Sequence, residues 1–211
     1  MLGINAIRRG NVKIIGLCGG SGAGKSVASS AIYALGGVSI DTDRVYRELC
    51  VPGSLCLDEL AAAFGEGILT SAGELDRPTL AALIYCDVEK RMLLNSITHK
   101  HIKSRTEALI EKYRTEGKSA VVVDAPLLFE SEFYKLCDVT VGVTADVAVR
   151  VKRLASRDGI DEATAKKRIA SQLSDERLAE LCDFIIENNE DTSALYEKAY
   201  SLYESIIKCE V

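Results

Sequence analysis

The sequence lacks both the excess of basic residues that is common in nucleic-acid-binding proteins and the long apolar segment that is common in membrane proteins. It has no basic excess, because 26 Lys and Arg face 31 Asp and Glu for a net charge of −5. Such a balance excludes the global basic field that nucleic-acid binding usually demands. Residues 1–10 carry Arg8 and Arg9 but no apolar segment of the signal-peptide kind, and no stretch of the chain approaches the length that crosses a membrane. We therefore expect a cytoplasmic protein with neither nucleic acid nor membrane as a partner.

The sequence also lacks any C-x-x-C pair, although it contains seven cysteines. An odd number of widely scattered cysteines gives no zinc-site or local dithiol pattern. They are predicted to be reduced, mostly buried apolar side chains of a cytosolic protein. The positions are Cys18, Cys50, Cys56, Cys86, Cys137, Cys182 and Cys209.

A complete phosphate-binding motif is present near the N-terminus. The apolar run at 13–19 ends in Gly19, and four residues later comes Gly24-Lys25-Ser26, which fits G-x-x-x-x-G-K-[ST]. The glycines let backbone N–H groups converge on phosphate oxygens at the start of a helix. Lys25 would reach the β- and γ-phosphates, and the Ser26 hydroxyl would ligate Mg²⁺. The alternative is a Gly-rich turn that binds nothing, which the intact strand and helix flanks disfavour.

Five short strands and several helices are predicted along the chain. The strands fall at 13–19, 38–40, 119–123, 139–143 and 184–186, and the helices at 26–35, 54–64, 77–85, 88–113, 146–157, from about 161, and 192–208. We interpret 1–211 as one domain with a loose extension at 1–11. Its core would comprise 12–50, 118–148 and 173–211, with a helical acceptor-binding insertion at 51–117 and a lid at 149–172.

Carboxylates follow two of these strands. Ligands of parallel α/β sheets bind at the carboxyl ends of strands, which favours a site near Asp41, Asp43 and Asp124. Asp124 lies where P-loop proteins often keep an acid associated with Mg²⁺. Two alternatives stay open. Asp43 could instead cap a helix that begins at Arg44, and Asp124 could be a solvated acid at the strand end.

Basic residues are concentrated in the predicted lid. Arg150, Arg153 and Arg157 recur at spacings of three and four, which places them on one helical face before Asp158-Gly159 ends the helix. Arginines on a mobile lid can neutralise charge on a transferring phosphate. The alternative is a solvated basic face.

From Lys13 to about Leu195 the chain resembles the dephospho-CoA kinase family. Beyond the P-loop, the resemblance rests on an ordered set of motifs that are rarely combined elsewhere. They are Ile40-Asp41-Thr42-Asp43, Leu75-Asp76-Arg77, His99, Pro126-Leu127-Leu128-Phe129-Glu130, Arg153 with Arg157-Asp158, Gln172, and Asp183 with Asn188. Three positions depart from the family pattern: Cys18 and Val27 each replace a usual Thr, and Lys100 replaces the usual Pro after the histidine.

The resemblance implies an α/β, three-layer P-loop NTPase fold with a five-stranded parallel sheet, a helical acceptor-binding insertion and a helical lid. It implies transfer of the ATP γ-phosphate, with Mg²⁺, to the ribose 3′-hydroxyl of dephospho-CoA, the final step of CoA biosynthesis. We expect a monomer or weak homo-oligomer whose partners are ATP and dephospho-CoA.

The resemblance also assigns roles by position. The catalytic residues would be Asp43 as the base, Lys25, Arg153 and Arg157. ATP would be bound by Gly20, Ser21, Gly22, Ala23, Gly24, Lys25, Ser26, Val27 and Asn188. The acceptor would be bound by Cys18, Asp43, Arg77, His99, Pro126 and Leu127, and the metal by Ser26 and Asp124.

Two other functions compete with this one. A different small-molecule or nucleoside kinase could share the P-loop and lid, since fold alone does not set the acceptor. A nucleotide-binding switch would hold ATP without transferring it, but it would have no need of Asp43 or of the lid arginines.

Overall fold

The computed structural model describes residues 12–208, so the predicted extension at 1–11 lies outside the described residues. Its strands form one five-stranded sheet in the order β2-β3-β1-β4-β5. They are β1 (Lys13–Gly19), β2 (Val38–Asp41), β3 (Ala120–Asp124), β4 (Val139–Thr144) and β5 (Phe184–Glu187). The predicted α/β fold with a five-stranded parallel sheet is confirmed. The continuous apolar runs of β1, β3 and β4 are typical of parallel strands buried on both faces.

The sheet register positions the loop that follows β1. This strand pairs in parallel with β3 on one side and with β4 on the other. Leu17 lies beside Asp124 of β3, and Cys18 lies beside Gly142 of β4. The glycine-rich segment therefore leaves the sheet from its central strand, with the end of β3 next to it.

Nine α-helices are described between residues 12 and 208. They are α1 (Lys25–Ser30), α2 (Thr42–Leu49), α3 (Leu55–Phe64), α4 (Arg77–Ile84), α5 (Val88–Thr115), α6 (Val147–Asp158), α7 (Glu162–Ala170), α8 (Asp175–Leu181) and α9 (Thr192–Lys208). The helix predicted at 26–35 is shorter than expected, since α1 passes into a 3₁₀-helix at Ala31–Leu35. Helix α8 was not predicted, and the Ser174 side chain caps it by accepting from Arg177 N–H.

The described chain forms two compact units, residues 12–39 with 110–208, and Ile40–Leu109. The first unit buries an apolar cluster between strands β1, β3 and β4 and helix α9, including Ile15, Val122 and Tyr203. The second has its own cluster around Leu60 and Ile68. This second unit begins before the predicted insertion, 51–117, because Tyr46 and Leu49 of α2 pack against its core, and it ends at Leu109.

The predicted lid is a helical hairpin with a small core of its own. Helices α6 and α7 pack through Val151, Leu154, Ala165 and Ile169. Gly159 ends α6 in the left-handed region, and the Asp161 side chain caps α7. Within residues 12–208, no helix combines the length and the apolar composition that crossing a membrane requires.

Candidate active site

The phosphate loop has a backbone that side chains at its glycines would disrupt. Gly24 has φ +109°, and a Cβ there would lie 2.3 Å from Asn188 Nδ2. A Cβ on Gly20 would lie 1.9 Å from Arg150 Nη2. Both distances are far below van der Waals contact. The loop therefore uses these glycines to admit two neighbouring side chains as well as to expose its amides.

The Arg150 side chain is hydrogen-bonded to the backbone of the phosphate loop and to two residues that follow the lid helices. Its Nε donates to Ser21 O at 3.0 Å, its Nη1 to Asp175 Oδ1 at 3.2 Å and its Nη2 to Gln172 Oε1 at 3.4 Å. The residue is 2% exposed, and burial lowers its pKa while the Asp175 carboxylate raises it. The sequence pattern placed Arg150 on the basic face of the predicted lid but assigned it no catalytic or binding role. Its hydrogen-bond partners are distant in sequence, so no local pattern reveals them.

Gln172 joins the end of the lid to the same loop. Its Oε1 accepts from Ser21 N–H at 2.8 Å, and its Nε2 donates to Ser21 Oγ at 3.1 Å. Ser21 was predicted to bind ATP, and in the structure both its backbone N–H and its hydroxyl are hydrogen-bonded to the Gln172 side chain. The lid hairpin is thus connected to the phosphate loop by directional hydrogen bonds.

Asn188 and Arg153 brace the other side of the loop. The Asn188 side chain is buried, donates to Ala23 O at 2.6 Å and accepts from Arg153 Nη2 at 3.3 Å. Arg153 Nη1 also donates to Gly22 O at 3.3 Å. Both residues therefore lie against the predicted ATP-binding loop, with their polar groups bonded to protein acceptors and donors.

Arg157 lies in different surroundings from Arg153. Its guanidinium pairs with both oxygens of Asp158, at 2.7 and 2.9 Å, and its side chain is 62% exposed. Hydrogen bonding to Asp158 raises the Arg157 pKa. Arg168 donates to the same carboxylate at 2.8 Å. Although the sequence predicts one helical face for these three arginines, Arg150 is buried, Arg153 is half-buried and Arg157 is exposed.

Lys25 and Ser26 open helix α1. Lys25 Nζ donates to Gly19 O at 3.0 Å, which folds its chain back along the loop, while Ser26 is exposed at the first turn. Val27, the third predicted ATP-binding residue of this turn, packs its side chain against the sheet core.

The alternative role of Asp43 as a helix cap is wrong. Helix α2 begins at Thr42 and its N-cap is Asp41, whose carboxylate accepts from Arg44 N–H at 3.0 Å. Asp41 ends β2 with extended backbone angles, which an N-cap needs, whereas Asp43 is already in the first helical turn. Asp43 is exposed to solvent.

Asp124 ends β3 beside the strand that leads into the phosphate loop. Burial of Tyr203, and after it the charge of Asp124, raise the pKa of the Tyr203 hydroxyl. Among the described residues, no group of three or more His, Cys, Asp or Glu side chains could hold a metal ion. Mg²⁺ in kinases needs fewer protein ligands, because substrate phosphates and water complete its shell. The hard oxygens of Ser26 and Asp124 suit that ion.

A cavity of about 80 Å³ opens beside the start of the loop. It brings together Cys18, Pro126 and Leu127, three of the residues predicted to bind the acceptor, with Glu130 and Gln172 at its wall. The other residues predicted to bind the acceptor all belong to the second unit; they are Asp43, Arg77 and His99. There Arg77 lies over the Tyr46 ring at 5.1 Å, and burial lowers the pKa of His99.

Comparison with known proteins supplies the family. A family model described as dephospho-CoA kinase matches residues 13–194. The chain is 39% identical over 193 residues to the dephospho-CoA kinase of Corynebacterium diphtheriae, covering 92% of this chain and 96% of that one. It is 44% identical to that of Moorella thermoacetica, covering 75% and 76%. The structure of dephospho-CoA kinase from Campylobacter jejuni superposes with a TM-score of 0.68 at 24% identity, covering 92% and 97% of the two chains. This chain therefore belongs to the dephospho-CoA kinase family.

Proposed function

We propose that the protein transfers the γ-phosphate of ATP to the ribose 3′-hydroxyl of dephospho-CoA, which yields CoA and ADP. The observation that carries this proposal is the family match over residues 13–194, which contain a fully braced phosphate loop. The six cysteines within residues 12–208 are free thiols, in keeping with the reducing cytoplasm, where we place the reaction.

The phosphate loop supports the ATP half of the reaction. Its backbone is held by hydrogen bonds from Arg150 Nε to Ser21 O and from Asn188 Nδ2 to Ala23 O. Preorganised donors of this kind stabilise phosphate charge without reorganising during the reaction. Lys25 would act on the β- and γ-phosphates, and Ser26 with Asp124 would hold a divalent cation, for which we propose Mg²⁺. The cation would neutralise charge on the phosphates.

Asp43 is our proposed general base. Its carboxylate is exposed in the first turn of α2, immediately after the end of β2, and Asp41 provides the helix cap. An acid at the carboxyl end of a parallel strand suits a role toward a ligand. There it would orient the acceptor hydroxyl and take its proton, a contribution of about 10²–10⁴-fold in rate.

The test compares Asp43→Asn with Asp41→Asn, which is a matched control two residues away. Both variants keep side-chain size, and Asn at position 41 keeps capping capacity. We expect Asp43→Asn to lose at least about a hundredfold in conversion of dephospho-CoA with Mg-ATP, with unchanged ATP affinity and melting temperature. Asp41→Asn should cost much less. An inactive Asp41→Asn beside an active Asp43→Asn would refute the assignment of the base.

The acceptor itself needs a separate measurement. Wild-type protein is incubated with Mg-ATP and either dephospho-CoA, a nucleoside or another small alcohol, and ADP and the phosphorylated product are quantified. We expect turnover with dephospho-CoA to exceed the others. Faster phosphorylation of a nucleoside would overturn the proposed acceptor, and ATP binding without any transfer would favour a nucleotide switch.

A further inference from the structure

Two cysteines that are far apart in sequence meet beside the phosphate loop. Cys18 is the next-to-last residue of β1, and Cys182 lies between α8 and β5, 164 positions later. Their Sγ atoms are 3.4 Å apart. Cys18 is 1% exposed and Cys182 is half-buried. Cys182 is thus the less buried residue of the pair, while Cys18 is shielded from solvent.

The sheet holds these two thiols together across strand β4. Gly142 is the β4 residue beside Cys18, and a Cβ there would lie 3.1 Å from Cys182 Sγ. A side chain at position 142 would therefore crowd the Cys182 thiol. Asp183 fixes the backbone next to Cys182, since its carboxylate accepts from both the N–H and the hydroxyl of Thr140 at 2.8 Å.

The contact makes the two thiols chemically unequal. Hydrogen bonding between the two sulfurs, together with burial, raises the Cys18 pKa, and the same hydrogen bonding lowers the Cys182 pKa. Thiolates are the nucleophiles in thiol–disulfide exchange, and the residue favoured as a thiolate is the half-buried Cys182. In an exchange reaction Cys182 would therefore attack first, and Cys18 would resolve the mixed disulfide.

We propose that Cys18 and Cys182 form a reversible dithiol site that reacts with low-molecular-weight disulfides. The Cys182 thiolate attacks one sulfur of RS–SR, the S–S bond breaks, and RS⁻ leaves and takes up a proton. Cys18 then loses its proton to solvent and attacks the Cys182 sulfur, which expels the second RSH. The two protein thiols are oxidised to one disulfide, and RS–SR is reduced to two RSH. This proposal does not rest on phosphoryl transfer.

A second thiol pair provides a contrast within the same chain. Cys50 and Cys56 have sulfurs 3.9 Å apart, but both side chains are buried. Burial raises the pKa of Cys50 and raises that of Cys56 to about 12. This pair offers a reagent neither an accessible sulfur nor a thiolate, so it should remain reduced in the folded protein.

The test exposes the full chain to bis(2-hydroxyethyl) disulfide, quenches with acid, alkylates the remaining thiols and maps the unreduced peptides by mass spectrometry. We expect a Cys18–Cys182 cross-linked peptide that forms at least about tenfold faster than any Cys50–Cys56 cross-link. Dithiothreitol should remove it. Recovery of both Cys18 and Cys182 as free thiols, while exposed Cys86 has reacted, would overturn the proposal.

Variants separate the two roles. Cys18→Ala should accumulate a stable mixed disulfide on Cys182, whereas Cys182→Ala should leave Cys18 unmodified. Cys137→Ala, a matched control at another partly buried cysteine, should cross-link like wild type. A mixed disulfide on Cys18 in the Cys182→Ala protein would show that the attacking thiol is misassigned. The wild-type measurement needs no variant to fold, so it decides the pairing by itself.

Discussion

Replacing Arg150 should destabilise the protein far more than the same replacement seven positions later on helix α6. Arg150→Met removes a buried guanidinium from Ser21 O, Asp175 and Gln172. Breaking a buried ion pair by deleting one partner costs about 3–5 kcal/mol. The Asp175 side chain is 32% exposed, so water can solvate part of its charge, and we expect the lower end, about 3 kcal/mol.

The control is Arg157→Met. That side chain is 62% exposed and pairs with its neighbour Asp158, so its loss should cost less than about 1 kcal/mol. For a chain of this size, about 3 kcal/mol corresponds to a fall in melting temperature of roughly 6–12 °C. Urea unfolding followed by circular dichroism measures both variants under identical conditions. Equal losses in the two variants would refute the claim that burial of Arg150 braces the loop.

A double-mutant cycle identifies the source of the loss. If the uncompensated Asp175 carboxylate dominates, then adding Asp175→Asn to Arg150→Met should recover part of the stability. The loop contact to Ser21 would not recover, so ATP affinity should stay low while the melting temperature rises. Full additivity of the two single changes would mean that the pair does not interact.

Three further predictions follow from the site geometry. Lys25→Ala should abolish turnover, a loss of several kcal/mol of transition-state stabilisation. Its melting temperature should stay unchanged, because Lys25 Nζ makes one contact, to Gly19 O. A normal kcat in this variant would contradict the role of Lys25. Gly24→Ala should lose about 2 kcal/mol or more in urea unfolding, since its φ of +109° and the nearby Asn188 amide both oppose a methyl group. Burial lowers the pKa of His99, so on acidification the unfolded chain binds a proton at this residue before the folded chain does, and the free energy of unfolding falls as the pH drops below about 6.5. His99→Gln removes this group, so the free energy of unfolding should fall less steeply at acid pH in the variant than in the wild type.

The strands were predictable because their signal is local. Buried parallel strands leave uninterrupted apolar runs, and the predictions at 119–123 and 139–143 fall within one residue of β3 and β4. Helix α8 was missed although Ser174 followed by Asp175 and Glu176 is a clear N-terminal signal. Its seven residues are too short for apolar periodicity to show, so the cap was the available evidence.

The braces of the phosphate loop were not predictable in the same way. The G-x-x-x-x-G-K-S spacing identifies the loop, since each residue acts through its own backbone or side chain. The role of Arg150 depends instead on Gln172 and Asp175, which come within reach when the end of the lid folds back. The Cys18–Cys182 contact likewise depends on strand order and on Gly142. Contacts of this kind follow from the tertiary fold and leave no local pattern.

Tertiary contacts also distinguish Arg153 from Arg157, which the sequence pattern gives the same predicted role. Arg153 is bonded to backbone carbonyls and to the Asn188 amide oxygen, all neutral acceptors, whereas Arg157 is paired with a carboxylate. Turning toward a phosphate would give Arg153 a charged acceptor in exchange for neutral ones, but Arg157 would exchange one anion for another. We therefore expect Arg153→Ala to lower kcat more than Arg157→Ala in steady-state assays with dephospho-CoA, with little change in KM. A larger loss at Arg157 would mean that the Asp158 pair opens in the transition state.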